Sequence, residues 1–589
     1  MAQRTNSVRV ARSVALSILS AFLLLVFISS FSSGKWPASQ AGSFPSQAAA
    51  VRNSSSQDQL FLDDLQHRSF NYFWQQADPQ TGLIPDRARM DGSALDDNHR
   101  NVASIAATGF GLTALCIATE HGWITQSQAR ERTRNTLRFF AERAFEKNGW
   151  FYHWLDAKTG DRRWNSEVSS IDTALLLGGV LTVGQYFRDD AEIRKLATKI
   201  YERVDFQWML NGNPRLLSHG WKPETGFLKP FWDTFSEDTI LYLLAIGSPT
   251  HPIPPASWYA LWRDRYRYEG HTYFTTIGVP LFMHQYPHAW IDFRNRRESR
   301  GDRIDYFTNS REATLAHRAF CLNLSYDFPA FASEMWGITA SDSAKGYLAW
   351  GGPPRDPEID GTLVPSAAGG SLMFTPELSL AALRAMQQRY GEKVYGKYGF
   401  IDAFNPKTGW FDSDVIGINA GIILLSAENS RNENVWKWFM QNREIPEAMR
   451  KIGLVRFTST TTLQPAERSD RARRHVNLTK KRKPQVSSVR TATRPDNSVN
   501  SLKRSASSLL RYCPDRFLLH VFPMPRLIEV RTKAKALGVP HQPFVNARLD
   551  LHLAIRVQGI DRLATHIKIQ RPASEMRTVD GQSGAAGVG

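Results

Sequence analysis

Ile171-Asp172-Thr173-Ala174-Leu175-Leu176-Leu177-Gly178-Gly179-Val180-Leu181-Thr182-Val183 is apolar on almost every side once wound into a helix. A surface helix keeps a polar stripe, whereas one without it is covered all round. Ile240–Ile246 reads the same way. Outward from these two runs, helical periodicity recurs from Gln57 and at about 102–121, 126–147, 168–187, 190–210, 236–247, 255–265, 310–325, 376–391, 417–429 and 431–440. Strand signals are short, at 149–155, 271–274 and 372–374. Ten or more helices, some amphipathic and some apolar all round, predict an all-α fold. The expected form is a toroid, an (α/α)6 barrel with a fully buried inner ring and short β-hairpins in its loops. A tetratricopeptide-like solenoid is the rival architecture, ranked lower because no fixed period of about 34–45 residues recurs.

The loops between these stretches share a phrase. Asp78-Pro79-Gln80-Thr81-Gly82-Leu83, Asp156–Gly160, Pro223–Phe227 and Asn405–Trp410 each place a turn-forming Thr-Gly beside acids and aromatics. Of the 17 Trp, all but Trp36 fall between residues 74 and 438. Indole rings stack on the apolar faces of pyranoses, and paired carboxylates supply the acid and base of glycosidic cleavage.

The charge is lopsided. From Val455 onward there are 25 Lys+Arg against 9 Asp+Glu, a surplus of 16 within a net charge of +17. The body is therefore close to neutral, and nucleic acid is not an expected partner. The three cysteines, Cys116, Cys321 and Cys513, form no CxxC pair, and two lie in apolar helical contexts. Arg4, Arg9 and Arg12 precede an apolar run from Val14 to about Phe31, so residues 1–31 read as a signal peptide or a membrane anchor. Residues 32–56 read as a linker, 57–453 as the body and 454–589 as a basic tail, disordered, weakly folded or non-native. The implied location is periplasmic or extracellular in a bacterium, with anchoring to the inner membrane left open.

Four stretches carry the chemistry. In Trp164–Thr173, Asp172 falls in the first turn of the all-apolar helix, beside Trp164 and Glu167. A capping acid that only orders the helix is the plain alternative. In Phe231–Thr239, Glu237 is flanked by aromatics and two further acids, a setting that raises a carboxyl pKa as a general acid requires, with a capping box as the alternative. Trp336–Asp342 with Gly346-Tyr347 and Trp350–Pro353 reads as cleft wall, contributing Trp336 and Asp342. Tyr398–Asn405 and Gly409–Asp412 bring Asp402, a second carboxylate or an Asx-turn residue, and Trp410. Glu237, Asp172 and Asp402 are thus the catalytic candidates, and Glu167, Trp164, Trp232, Trp336, Asp342 and Trp410 the substrate-binding ones. His284 and His288 have the i, i+4 spacing of a metal pair, but Pro287 interrupts the helix, and no metal or cofactor is expected.

The phrases Trp336–Asp342, Asp360–Thr362 with Pro365–Ala368, Gly399–Asn405 and Ile416–Asn419 with Glu428–Arg431 resemble the glucoamylase-like region. That region is found in glycoside hydrolase family 144, the bacterial endo-β-1,2-glucanases, and in cyclic β-1,2-glucan synthases. The resemblance spans about 57–453 and implies an (α/α)6 barrel, a secretion signal and inverting hydrolysis of β-1,2-glucan. It places the family's acidic positions on Asp172 and Glu237, while the tail after 453 departs from it. A non-catalytic glycan-binding protein on the same toroid is the main alternative. A lyase would want His or Tyr bases, and an epimerase paired His, where these loops favour acids.

Overall fold

Burial sorts most of the helices into two kinds. The computed structural model describes residues 55–276 and 278–457. Its helices are α1 Ser56–Gln76, α2 Ile105–Glu120, α3 Gln126–Arg138, α4 Ser170–Tyr186, α5 Ala191–Glu202, α6 Phe206–Met209 and α7 Thr239–Gly247. They continue with α8 Tyr286–Trp290, α9 Tyr306–Asn323, α10 Pro365–Gly369, α11 Pro376–Tyr390, α12 Gly417–Arg431, α13 Asn434–Phe439 and α14 Glu444–Ile452. Helices α2, α4, α7, α8, α10 and α12 are covered on nearly every side. Helices α1, α3, α5, α9 and α11 bury one face and expose the other. The all-apolar reading of Ile171–Val183 and Ile240–Ile246 corresponds to α4 and α7.

Packing is closest between α2 and α4. A methyl group on Gly179 would lie 2.0 Å from the Gly109 carbonyl oxygen, and one on Gly109 would lie 2.3 Å from the Leu175 carbonyl. These two glycines let the helix backbones meet, which no larger residue allows. Helix α12 packs on α1 and α2, α4 on α5 and α7, and α7 on α14. A second apolar cluster, around Trp336, Trp350, Leu363 and Phe404, fills the space by α10 and α11.

The strands are short and mostly paired as two-stranded ribbons. Residues 255–265 were expected as helix; instead Pro255–Ala260 is a 3-10 turn and Asp264–Tyr268 pairs with His271–Thr275. Glu269 (φ 45°) and Gly270 (φ 86°) both adopt left-handed conformations, as the hairpin turn demands. Leu372–Phe374 is turn rather than strand, with the Met373 N–H donating to Ser426 Oγ. Helices α8 and α10, each five residues long, are too short for periodicity to announce.

Leu454–Arg456 pairs with Arg296–Glu298, so the folded unit runs on past Gly453. The leader 1–31, the linker up to residue 54 and the tail from residue 458 lie outside the described residues. Among the described residues no helix is long and apolar enough to cross a membrane.

Candidate functional site

The candidate acids gather where loops enter the buried helices. Ser169 caps α4, and its Oγ also donates to Asp172 Oδ2 at 2.6 Å. Asp172 is therefore buried at the start of α4, pointing back toward the loop. His153, from the ribbon preceding it, lies between two carboxylates: Nδ1 is 3.0 Å from Glu167 Oε1 and Nε2 is 3.4 Å from Asp172 Oδ1. Burial would lower the His153 pKa, but Asp172 and Glu167 outweigh it and the net shift is upward. Burial would raise Glu167, yet the His153 contact draws it down to about 2. Glu167 is thus a fixed anion, and the pair orients Asp172.

Glu237 ends the loop before α7. It is buried, and its Oε2 has no hydrogen-bond partner. Burial, with a further contribution from the Asp172 charge, lifts its pKa to about 7. Its neighbour Asp238 is wholly buried and shifted upward by burial and then by Glu237.

Asp402 precedes α12 and is also buried. The Asp342 N–H donates to Asp402 Oδ2 at 2.7 Å, and Asn419 Nδ2 donates to Oδ1 at 2.5 Å. Burial, then the Asp342 and Asp412 carboxylates, raise its pKa. Asp412 itself is pushed up to about 7 by burial and by Asp342. Arg87 steadies this wall, reaching Asp342 at 2.7 Å, Asp86 at 3.1 Å and Asp414 at 3.4 Å. Tyr286, on α8, sits in the field of Glu237, Asp402 and Asp172 together. The charges of all three catalytic candidates thus reach the Tyr286 hydroxyl.

The aromatic candidates divide. Trp164 is 39% exposed, with φ 52°, a left-handed backbone costly for so bulky a residue. Its indole N–H donates to Asn98 Oδ1 at 3.1 Å and its ring meets Trp154 edge-on, which fixes an open face. Trp410 is partly exposed on a ribbon beside Asn405. Trp232 is buried; His219 stacks on its ring at 3.9 Å and its N–H donates to Ser170 Oγ. Trp336 corrects the sequence reading. It is 0% exposed within the second apolar cluster, so its ring packs the wall and offers no face to a sugar. Asp342 serves the site through its backbone N–H on Asp402 and its ion pair with Arg87, both internal contacts.

Two groups of three ligand atoms lie within 4.8 Å of one another: His153, Glu167 and Asp172, and Asp342, Asp402 and Asp412. In each a cationic or N–H partner already faces the carboxylates. His284 and His288 do not converge; they bond separately to Thr275 Oγ1 and Ser310 Oγ, and burial lowers both to about 3.

Sequence reasoning missed Asp86, Arg87, Tyr286 and Asn419 as site residues. Asp86-Arg87 directly follows the first Thr-Gly loop, the one available signal. Tyr286 lies in a helix too short to show a pattern.

The family model described as "Putative glucoamylase" matches residues 230–443. An endo-β-1,2-glucanase of Chitinophaga pinensis, solved with sophorotriose and glucose, superposes with a TM-score of 0.63 at 29% identity, covering 68% of this chain and 99% of that one. A solved protein of Bacteroides caccae with the same glucoamylase description gives 0.62 at 30% identity, over 68% of this chain and 100% of that one. A Parabacteroides distasonis exo β-1,2-glucooligosaccharide sophorohydrolase, acting at the non-reducing end, is 26% identical over 444 residues, 69% of this chain. The match spans 60% of that relative's length.

Proposed function

This chain belongs to the glucoamylase-like glycoside hydrolases that include the bacterial endo-β-1,2-glucanases, and from that premise we propose that it hydrolyses β-1,2-linked glucan with inversion. The observation that carries the reading is that Glu237, Asp172 and Asp402 are all buried in loops leading into covered helices and all act on the Tyr286 hydroxyl.

Six helices covered on nearly every side support closure into an (α/α)6 toroid, with α2, α4, α7, α8, α10 and α12 as the inner ring. In a ring of six, the third and sixth members stand opposite one another. Glu237 precedes the third, α7, and Asp402 precedes the sixth, α12. Inversion requires an acid and a base on opposite faces of the sugar. Glu237, protonated below about pH 7, donates to the departing glycosidic oxygen. Asp402, with both oxygens held by N–H donors and its basicity raised by burial, takes the proton of the attacking water. Burial, with the Asp172 charge adding to it, keeps the Glu237 proton on up to about pH 7. Trp164 supplies a ring face at the cleft mouth.

Incubation with linear β-1,2-glucan, followed by proton NMR of the first products, tests this. The α-anomer should form first; a first-formed β-anomer overturns inversion, and release of product only from other β- or α-glucans overturns the linkage. The pH profile is a separate check. Activity needs protonated Glu237, so kcat/KM should fall about tenfold per pH unit above about 7. Asp172→Asn removes a charge that raises Glu237, and so should shift that alkaline limb to lower pH.

We place the protein in the periplasm or outside the cell. The basis is the Arg4, Arg9 and Arg12 cluster before the apolar run ending near Phe31. Cell fractionation checks this, and recovery of the full-length chain in the cytosol would overturn it.

A further inference from the structure

Tyr347 combines two properties that rarely occur together. It is 56% exposed, one of few large hydrophobic side chains so open among the described residues. Yet it rides on a hairpin tied directly to the site, where the Asp342 N–H donates to Asp402 at 2.7 Å, and its phenol lies in the electrostatic field of Asp402, Asp86, Asp342 and Glu237. A side chain on a convex surface meets solvent, not four carboxylates from separate loops. A ring that is open to solvent and also surrounded by protein groups hangs inside a concavity.

The local chain explains how it gets there. Ser341 and Leu348 exchange backbone hydrogen bonds at 3.0 and 2.9 Å, closing a small hairpin. Gly346, at φ 101°, allows the tight return of the chain immediately before Tyr347. Both feet of the hairpin are fixed. On one side the Asp342 N–H holds Asp402 at 2.7 Å and its carboxylate pairs with Arg87 at 2.7 Å. On the other, buried Trp350 donates its indole N–H to Ser341 Oγ at 3.2 Å. Between these anchors, Ala344, Lys345, Gly346 and Tyr347 are exposed.

We propose that Tyr347 is a substrate-binding residue of the cleft, its ring lying against a glucosyl unit and its hydroxyl donating to a sugar hydroxyl between the Glu237 and Asp402 walls. The inference rests on the hydrolase reading above and adds a binding residue to it. A phenol suits a neutral hexopyranose in this setting. Its ring face matches the sugar's C–H face, and its O–H can donate to a sugar hydroxyl beside the accepting Asp86 and Asp342 carboxylates. The rigid feet mean that the ring is held in place before the sugar arrives, so little ordering is lost on binding.

The test compares the full chain with Tyr347→Ala and Tyr347→Phe, measuring kcat and KM on linear β-1,2-glucan and sophorotriose binding by calorimetry. Loss of a stacked ring and one hydrogen bond should raise KM and weaken binding by about tenfold to a hundredfold in the alanine variant. The phenylalanine variant, which keeps the ring, should fall between it and the wild type. Thermal melting should stay within about 2 °C of wild type in both, because the side chain is largely open. If kcat, KM and binding of the alanine variant all remain within twofold of wild type, Tyr347 does not bind substrate. A wild-type chain that neither cleaves the glucan nor binds sophorotriose overturns the hydrolase reading, and this inference with it.

Discussion

Glu237→Gln should lower kcat on β-1,2-glucan by about 10²–10⁴-fold while leaving glucan binding intact. Gln has the shape of Glu but no proton to give to the leaving oxygen. Because Glu237 Oε2 has no protein partner, the substitution breaks no internal bond through that atom. Folding should not suffer, and the sign of the linkage says it should improve at high pH. Burial raises the folded-state pKa to about 7 from an ordinary 4.5. Between those values the folded state holds a proton that the unfolded chain has released, so the wild type loses stability as pH rises through that window. The variant does not, and should melt no lower than wild type at pH 8. Steady-state kinetics, calorimetric binding and a melting curve check the three parts. Activity within tenfold of wild type would remove Glu237 from the mechanism.

Glu428→Ala should be the most damaging substitution away from the site. Glu428 is wholly buried near the C-terminal end of α12 and joins four elements. Oε2 accepts from Gln66 of α1 and stands 2.8 Å from His121 Nε2 at the end of α2. Oε1 accepts from Asn432 at 3.1 Å and from Asn434 of α13 at 2.7 Å. Burial alone would raise its pKa, but the His121 contact and the amide donors hold it below the ordinary value. Removing the carboxylate strands buried Gln66 and the partly buried His121 and Asn434 at once, a loss of about 3 kcal/mol by analogy with broken buried ion pairs. Denaturant unfolding measures it. Nine residues of helix, roughly 14 Å, separate Glu428 from Asn419 at the site. The surviving folded fraction should therefore cleave glucan with an unchanged KM. A midpoint equal to that of wild type would show that the network contributes little.

Glu428 also marks how far the sequence could be read. The phrase Glu428–Arg431 was visible as part of a family resemblance, yet its role is packing: Asn429 donates to the Ala289 carbonyl, and Arg431 pairs with Asp63. A phrase shows that side chains are required without showing what they touch. The fold class was legible because α4 and α7 are apolar on all sides, a pattern that only full burial explains. Glu237, Asp172 and Asp402 stood out as candidates because each lies among aromatics in a loop that leads to a buried helix. Trp336 misled for the same reason; an indole in a glycine-rich loop looks the same in sequence whether it faces solvent or, as here, the interior. Arg87 was hidden because it acts on an acid far away in the chain, Asp342, and Asn419 because it reaches from α12 back across a ribbon to Asp402. Spacing carries no information about such pairings.

The interior imidazoles limit the media in which this fold can persist. Burial holds His219 and His317 at about 4, and His284 and His288 at about 3. Released into water, each would take up a proton below about 6.5. From there down to the folded values the unfolded chain binds more protons, so acidification favours collapse of the native state. The carboxyls around the cleft titrate in the contrary sense, giving up protons they can hold only while folded. Acid thus attacks the protein through its centre and alkali through its mouth, and its durability is confined to a corridor around neutrality.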